Sequence, residues 1–251
     1  MKQECPHCHG TGWRPVEREG SRAVEVCTCR QQLYERGADQ RARIPKRYRQ
    51  CVFESFDITF AKDESRLSLD NALMQAKGFV KEYPFVKKGL LFLGKPGVGK
   101  THLTVAILKE LMAQKKADCL FYSFQELLQQ IRDSYNPVSL STESGVLRPV
   151  LETDVVAIDD LGANRVTDWV EDTVTYILNY RYNQKKLTLI TSNLPDNPKD
   201  VQERSPSGKY RIGDTLTDRV GSRVRSRLYE MCSLVSIEAN DYREQVLSHQ
   251  R

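Results

Sequence analysis

No apolar run in this 251-residue chain approaches the roughly 20 residues that cross a bilayer, so no membrane helix and no membrane partner are expected. The N-terminus, MKQECPHCHG, has no apolar stretch behind a basic start. No secretory signal is therefore expected, and a cytoplasmic location is expected. No internal repeat and no low-complexity tract occurs. A strong excess of one charge is also missing: the net charge is +5, and residues 1–50, with 11 Lys/Arg against 6 Asp/Glu, hold all of it. So modest an excess fits contact with nucleic acid or an acidic partner, and fits a solvated basic surface equally well. What is there is ordinary for a soluble chain with a real core: 39% hydrophobic and 28% charged residues. The length suits one large domain, or a medium domain with a small appendage.

Seven cysteines in a reducing compartment point to thiols or metal ligands rather than disulfides. Cys5 and Cys8 form a C-x-x-C pair, and Cys27 and Cys29 a C-x-C pair. In CPHCHG the glycine, Gly10, can take the positive φ that turns backbone N–H groups toward sulfur. Four thiolates at about 2.3 Å close a tetrahedral zinc site. A metal staple also suits a segment too short to bury a core of its own. The tight C-x-C spacing leaves His7 or His9 as a substitute for one cysteine. A redox pair is excluded, because no βαβ pattern surrounds the C-x-x-C. Cys51, Cys119 and Cys232 stand singly in apolar contexts and read as core. A short polar helix is expected after Cys29, punctuated by Gly37 and Pro45. The domain boundary is placed at residues 43/44.

The strongest signal is KKGLLFLGKPGVGKTHLTVAILKELMAQ. A four-residue apolar run precedes it, and Leu103, Ile107, Leu108 and Leu111 follow at helical spacing. Between them, Gly94, Lys95, Pro96, Gly97, Val98, Gly99, Lys100 and Thr101 fit G-x-x-x-x-G-K-[ST] at every fixed position, with His102 next. In such a loop, backbone N–H groups and the helix N-terminus cradle phosphates. Lys100 reaches the β- and γ-phosphates of ATP, and Thr101 holds Mg²⁺. TDVVAIDDLG supplies the acids: Asp154 opens a strand, Asp159 is the second Mg²⁺ ligand, and Asp160 positions or deprotonates the attacking water. KKLTLITSN ends in Ser192 and Asn193, which arrive where a γ-phosphate lies; CSLVSIEA is a further strand. Helices are expected over about 124–134, 168–184 and 214–231. The alternation predicts an α/β fold, a parallel sheet with helices on both faces. The last helix carries Arg219, Arg223, Arg225 and Arg227 beside a stripe of Val220, Val224, Leu228 and Met231. Those arginines read as a solvated face, with one of them free to complete a neighbour's ATP site.

GKPGVGKTHL, VVAIDDLG, LITSN and GSRVRSRLYEM, in that order, resemble the AAA+ ATPases of the DnaC/DnaI helicase-loader and IstB group over roughly residues 44–245. IPKRYRQCVFESFD is similar to that group's lead-in segment. The resemblance implies Asn193 as the γ-phosphate sensor and Arg227 as an arginine finger given to the adjacent subunit of a homo-oligomer formed on ATP binding. It implies a contact with single-stranded DNA through residues 124–150, and no C-terminal lid. It also implies that residues 1–43 form a zinc-binding module that docks a DnaB-type replicative helicase. One departure stands out: most AAA+ proteins have Asp-Glu where this chain has Asp159 and Asp160, and the shorter carboxylate holds water less well. The function so implied is helicase loading onto single-stranded DNA with slow, DNA- or partner-stimulated ATP hydrolysis. The alternatives are an IstB-like transposition helper that recruits a transposase, and a zinc-bearing nucleotide switch that barely hydrolyses ATP.

Overall fold

In the computed structural model, which describes residues 5–18, 21–135, 143–163, 167–199, 211 and 215–244, the apolar runs become the strands of one parallel sheet. The strands are β3 (Gly89–Gly94), β4 (Cys119–Ser123), β5 (Val155–Asp159), β6 (Leu187–Ser192) and β7 (Cys232–Ile237), in the order β4-β5-β6-β3-β7. β3 to β6 are buried almost end to end, as strands covered on both faces must be. Side chains alternate between faces. Leu90 and Phe92 join Leu103, Ile107 and Phe79 on the side of α2 (Asp63–Glu82) and α3 (Lys100–Glu110). Leu91 and Leu93 join the opposite cluster, with α4 (Phe124–Ser134), α5 (Glu143–Glu152) and α6 (Asp168–Asn183). The expected helices over 124–134 and 168–184 are therefore present, and residues 136–142 of the expected DNA-contacting insertion lie outside the described residues.

Ahead of the sheet stand an antiparallel hairpin, β1 (Trp13–Arg18) and β2 (Ser21–Val26), and helix α1 (Thr28–Arg41). Gly37 does not interrupt α1, contrary to expectation. A single interior glycine costs only about 1 kcal/mol against alanine, and tertiary anchoring outweighs that. The Ala42 carbonyl accepts from Phe121 N–H at 2.8 Å, and Asp39 pairs with Lys109 at 3.5 Å. Cys119 and Cys232 are buried, whereas Cys51 is half-buried against the same core.

The continuous helix expected over 214–231 is two helices, α7 (Leu216–Val220) and α8 (Ser222–Met231). Gly221 breaks them at φ +82°, ψ +156°, and a Cβ there would sit 2.4 Å from Glu171 Oε1. Thr215 starts α7 by accepting from Asp218 N–H while the Asp218 carboxylate accepts from Thr215 N–H, a reciprocal cap. The stripe survives the break, and Val220, Val224, Leu228 and Met231 are all buried.

A feature with no motif to announce it is Arg181, which is completely buried. Its guanidinium donates to the carbonyls of Val150 (2.7 Å), Thr153 (3.0 Å) and Leu187 and to Thr188 Oγ1 (3.0 Å). It thus ties the open C-terminal carbonyls of α5 to β6, with every partner neutral. Burial lowers its pKa to about 10, so it stays charged at neutral pH. Arg181→Met fits the space but strands several buried carbonyls, each worth about 1–3 kcal/mol. We expect a loss of about 3–5 kcal/mol in urea unfolding. A loss under about 0.5 kcal/mol, the scale of an ordinary surface change, would show that the staple is dispensable.

Candidate nucleotide site

The strand order decides the site. β6 lies between β3, which leads into the glycine loop, and β5, which carries the acids. Residues at the three carboxyl ends therefore meet across one crevice, where ligands of parallel sheets bind. The loop turns through Gly97 at φ +77° and Gly99 at φ +96°, and α3 starts at Lys100. Nζ of Lys100 donates to the Gly94 carbonyl (2.9 Å), the Lys95 carbonyl (2.7 Å) and Asn193 Oδ1 (2.7 Å). The Asn193 amide nitrogen donates in turn to Asp160 Oδ1. One asparagine thus bridges the lysine and the second acid. Thr101 Oγ1 donates to Asp159 Oδ1 at 2.8 Å, and Thr191 Oγ1 to the same oxygen at 2.7 Å.

Electrostatics follow from burial. Lys100 is pushed down to about 8 by desolvation, with Asp160 and Asp159 pulling the other way. Burial raises the pKa of Asp159, opposed by the hydroxyls of Thr191 and Thr101. Asp160 sits at φ +61°, and its N–H donates to Thr191 Oγ1 at 2.8 Å. Aspartate and asparagine tolerate this left-handed conformation better than longer side chains do, which gives the Asp-for-Glu departure a local backbone reason.

Around this network lies a cavity of about 690 Å³. Pro96 to His102, Asp159, Asp160 and Asn193 line it. Ser192 does not: it is buried, and its hydroxyl donates to the Leu161 carbonyl at 2.7 Å. Strand alternation puts Thr191, not Ser192, beside the acids, and the pleat of LITSN was the signal that could have told them apart. Two wall segments carry no phosphate-binding motif. One is the lead-in stretch with Tyr48 and Phe56, and the other follows β7 with Tyr242 and Arg243. His102 is tied to the lead-in stretch: Nε2 lies 2.8 Å from the Val52 carbonyl, which can only accept, so that nitrogen carries the proton. Burial lowers its pKa.

Arg227 lies elsewhere, on α8 and outside the cavity wall. Its Nε donates to Asn179 Oδ1 at 2.7 Å, its Nη1 pairs with Glu230, and its guanidinium covers the Tyr182 ring at 4.6 Å. Arg223 is exposed. Arg225, expected on a solvated face, is instead a clamp: it grips both oxygens of Asp196 at 2.7 Å and stacks on Tyr229. The sequence missed this because Asp196 lies 29 positions away.

At the N-terminus, the sulfurs of Cys5, Cys8, Cys27 and Cys29 all lie within 4.8 Å of one another. Cys5 and Cys27 are 3.7 Å apart, and Cys8 and Cys29 3.4 Å. A tetrahedron with arms of about 2.3 Å has edges of about 3.8 Å, so the four sulfurs fit zinc. Gly10 takes φ +84°, and Gly12 N–H points at Cys8 Sγ at 3.3 Å. Cys27 caps α1 and Cys29 lies in its first turn, at the positive end of the helix. Neither His7 nor His9 joins the group among the described residues.

A glycine cradle, a lysine and threonine at the helix start, an acidic pair, and an asparagine on the intervening strand define an ATP-binding P-loop protein of the AAA+ class. The chain belongs to the IstB-like ATP binding protein family, which matches residues 28–250. It is 27% identical over 252 residues to the phage-like element PBSX protein XkdC of Bacillus subtilis (strain 168), across 96% of this chain and 85% of that protein. It is 27% identical over 196 residues to the replicative helicase loader DnaC of Escherichia coli (strain K12), across 75% and 76% of the two chains. The crystal structure of the DnaC helicase loader superposes with a TM-score of 0.59 at 32% identity, covering 77% of this chain and all of that one. Among the described residues, no helix is long and apolar enough to cross a membrane.

Proposed function

We propose that this chain is an ATP-driven loader that sets a DnaB-type replicative helicase on single-stranded DNA. In this reading residues 1–43 form the docking module and residues 44–251 the ATPase. The observation that carries it is the Lys100–Asn193–Asp160 bridge, in a chain similar to a helicase loader over three-quarters of its length. Lys100 has only neutral hydrogen-bond partners, so its charge is available to the β- and γ-phosphates. Thr101 and Asp159 would hold Mg²⁺, which when bound would neutralise phosphate charge. In hydrolysis water forms a bond to the γ-phosphorus while the β–γ bridging P–O bond breaks, and Asp160 orients that water and takes its proton. Asn193 touches both Lys100 and Asp160, so a γ-phosphate that shifts one reaches the other. Arg227, outside its own cavity, stabilises the transition state in the adjacent subunit of the homo-oligomer.

The four cysteines hold zinc in this reading, and the metal fixes the docking module. One zinc per chain is expected by metal analysis. Cys27→Ser should release it and abolish helicase capture, while ATP binding is retained. Freshly prepared wild-type protein with less than about a tenth of an equivalent would remove the zinc assignment, since a closed structural site holds its metal fully.

The family match favours a second reading, a transposition helper that binds duplex DNA and recruits a transposase. Incubating the full chain with a DnaB-type helicase, circular single-stranded DNA and ATP separates the two. Loading predicts helicase retained on the circle only when the chain and ATP are both present. Retention that is indifferent to the chain, with ATP-dependent coating of duplex DNA, would favour the second reading. Turnover with and without single-stranded DNA excludes or leaves the switch that barely hydrolyses.

A further inference from the structure

The turn between α2 and β3 projects an aromatic ring into solvent. Phe85 is 87% exposed, and its N–H donates to the Glu82 carbonyl at 2.8 Å, which fixes the turn that presents the ring. Beside it runs a groove of about 660 Å³, walled by Met74, Gly78 and Phe79 of α2, by Phe85 and Val86, and by Ser233 of β7. Met74, Gly78 and Glu82 recur at every fourth residue, so they share one face of α2. Met74 is exposed on that face. Gly78 stands inside the helix, where glycine costs about 1 kcal/mol against alanine. A Cβ there would meet nothing within 4 Å. No neighbour in its own chain demands that glycine, and its missing side chain keeps the groove open.

The rim of the groove carries both signs of charge. Glu82 and Lys87 line it, and among the described residues neither forms an ion pair. Lys88 is already engaged, donating to the Tyr229 carbonyl at 3.3 Å. A purely acidic partner would set a like charge against Glu82, and a purely basic one against Lys87. A projecting ring beside a hollow, with one charge of each sign, is complementary to itself. Leu90 and Ser233, which also line the groove, are the second residues of β3 and β7. The groove therefore lies at the amino ends of the strands, and the nucleotide cavity at their carboxyl ends. Nor does it touch α8, which packs in the opposite core cluster from α2.

We propose that this groove is a two-fold interface between two copies of the chain, formed without nucleotide. In a two-fold contact the same patch serves both copies. Phe85 of each copy enters the groove of the other beside Gly78, and Glu82 of each faces Lys87 of the other. Burial of the two rings supplies the attraction, and the opposite charges fix the register. Both nucleotide cavities stay open, because the contact is at the other end of each sheet. The interface is separate from one that would bring Arg227 to a neighbour's site.

Equilibrium sedimentation of the nucleotide-free full chain, from about 1 to about 100 µM, tests the proposal. The mass should rise from one chain to two across that range. Phe85→Ser should weaken association at least about 30-fold, the scale of an aromatic hot spot. Its melting midpoint at low concentration should not move, since the ring is exposed. Glu82→Lys and Lys87→Glu each set like charges face to face, and each alone should remain a single chain. Mixed together they replace both lost pairs by their reverse, so a heterodimer should form. If Phe85→Ser lowers the midpoint, the charge exchange alone decides. A wild type that stays single, a dimer that a folded Phe85→Ser leaves intact, or folded charge variants that mix without pairing overturns the proposal. A mass that rises only with ATP overturns it too, and points to the Arg227 contact instead.

Discussion

Arg227→Ala is expected to bind ATP as the wild type does and to hydrolyse it about 10³-fold more slowly where turnover depends on a trans arginine. Binding is spared because Arg227 lies on α8, held by Asn179 and Glu230, and contributes nothing to its own cavity. Lys100→Ala fails for the opposite reason, since it cannot hold nucleotide but still presents Arg227. Mixing the two inactive chains creates interfaces that pair an intact phosphate loop with an intact arginine, so activity should partly return. Arg223→Ala is the neutral control, because that side chain is exposed. Arg225→Ala is not neutral: it opens the Asp196 clamp and should lower stability. If the two chains demonstrably co-assemble and no activity returns, Arg227 is not a trans finger.

Lys100→Ala should remove detectable ATP affinity, and the wild-type lysine should reveal itself through pH. Burial sets its pKa at about 8, below the ordinary lysine value of 10.5. Between those values the unfolded chain binds a proton that the folded one lacks, so stability of the nucleotide-free protein rises with pH across this window. ATP binding has the opposite sign. Phosphates select the ammonium, and above about 8 the free site must take up a proton to supply it. Affinity should therefore fall by up to about tenfold per pH unit above that point, while melting temperature, as far as this group sets it, increases. Calorimetry at pH 7 and pH 9 checks both. Affinity that stays level across this range would mean that Lys100 keeps its proton, and that the depressed pKa is wrong.

Much of the site was legible because its chemistry is local. The glycine loop and its lysine and threonine are contiguous, and so are Asp159 and Asp160 at the end of an apolar run. Three of the four strand runs are plain because a parallel strand covered on both faces is largely apolar over its length, whereas β7, at the sheet edge, mixes buried and exposed residues. The cysteine pairs are visible as spacing, although the hairpin that separates them is not, since six-residue strands with mixed polarity give little period-2 signal.

The long-range features were hidden. Arg181 reads as one more helical arginine, and only the fold shows it among the carbonyls of α5. Arg225 reads as solvated because Asp196 is distant in the chain, and Asp241 and Tyr242 reach Gly97 only because β7 runs beside β3. The break at Gly221 leaves no signal in the sequence, because the apolar stripe keeps helical spacing on both sides of it. By itself, then, the sequence determined the kind of chemistry, through residues close in the chain whose types and spacing phosphate and metal binding demand. Tertiary structure alone decided which distant residues share the cavity, because strand order, not chain order, sets what stands beside the phosphates.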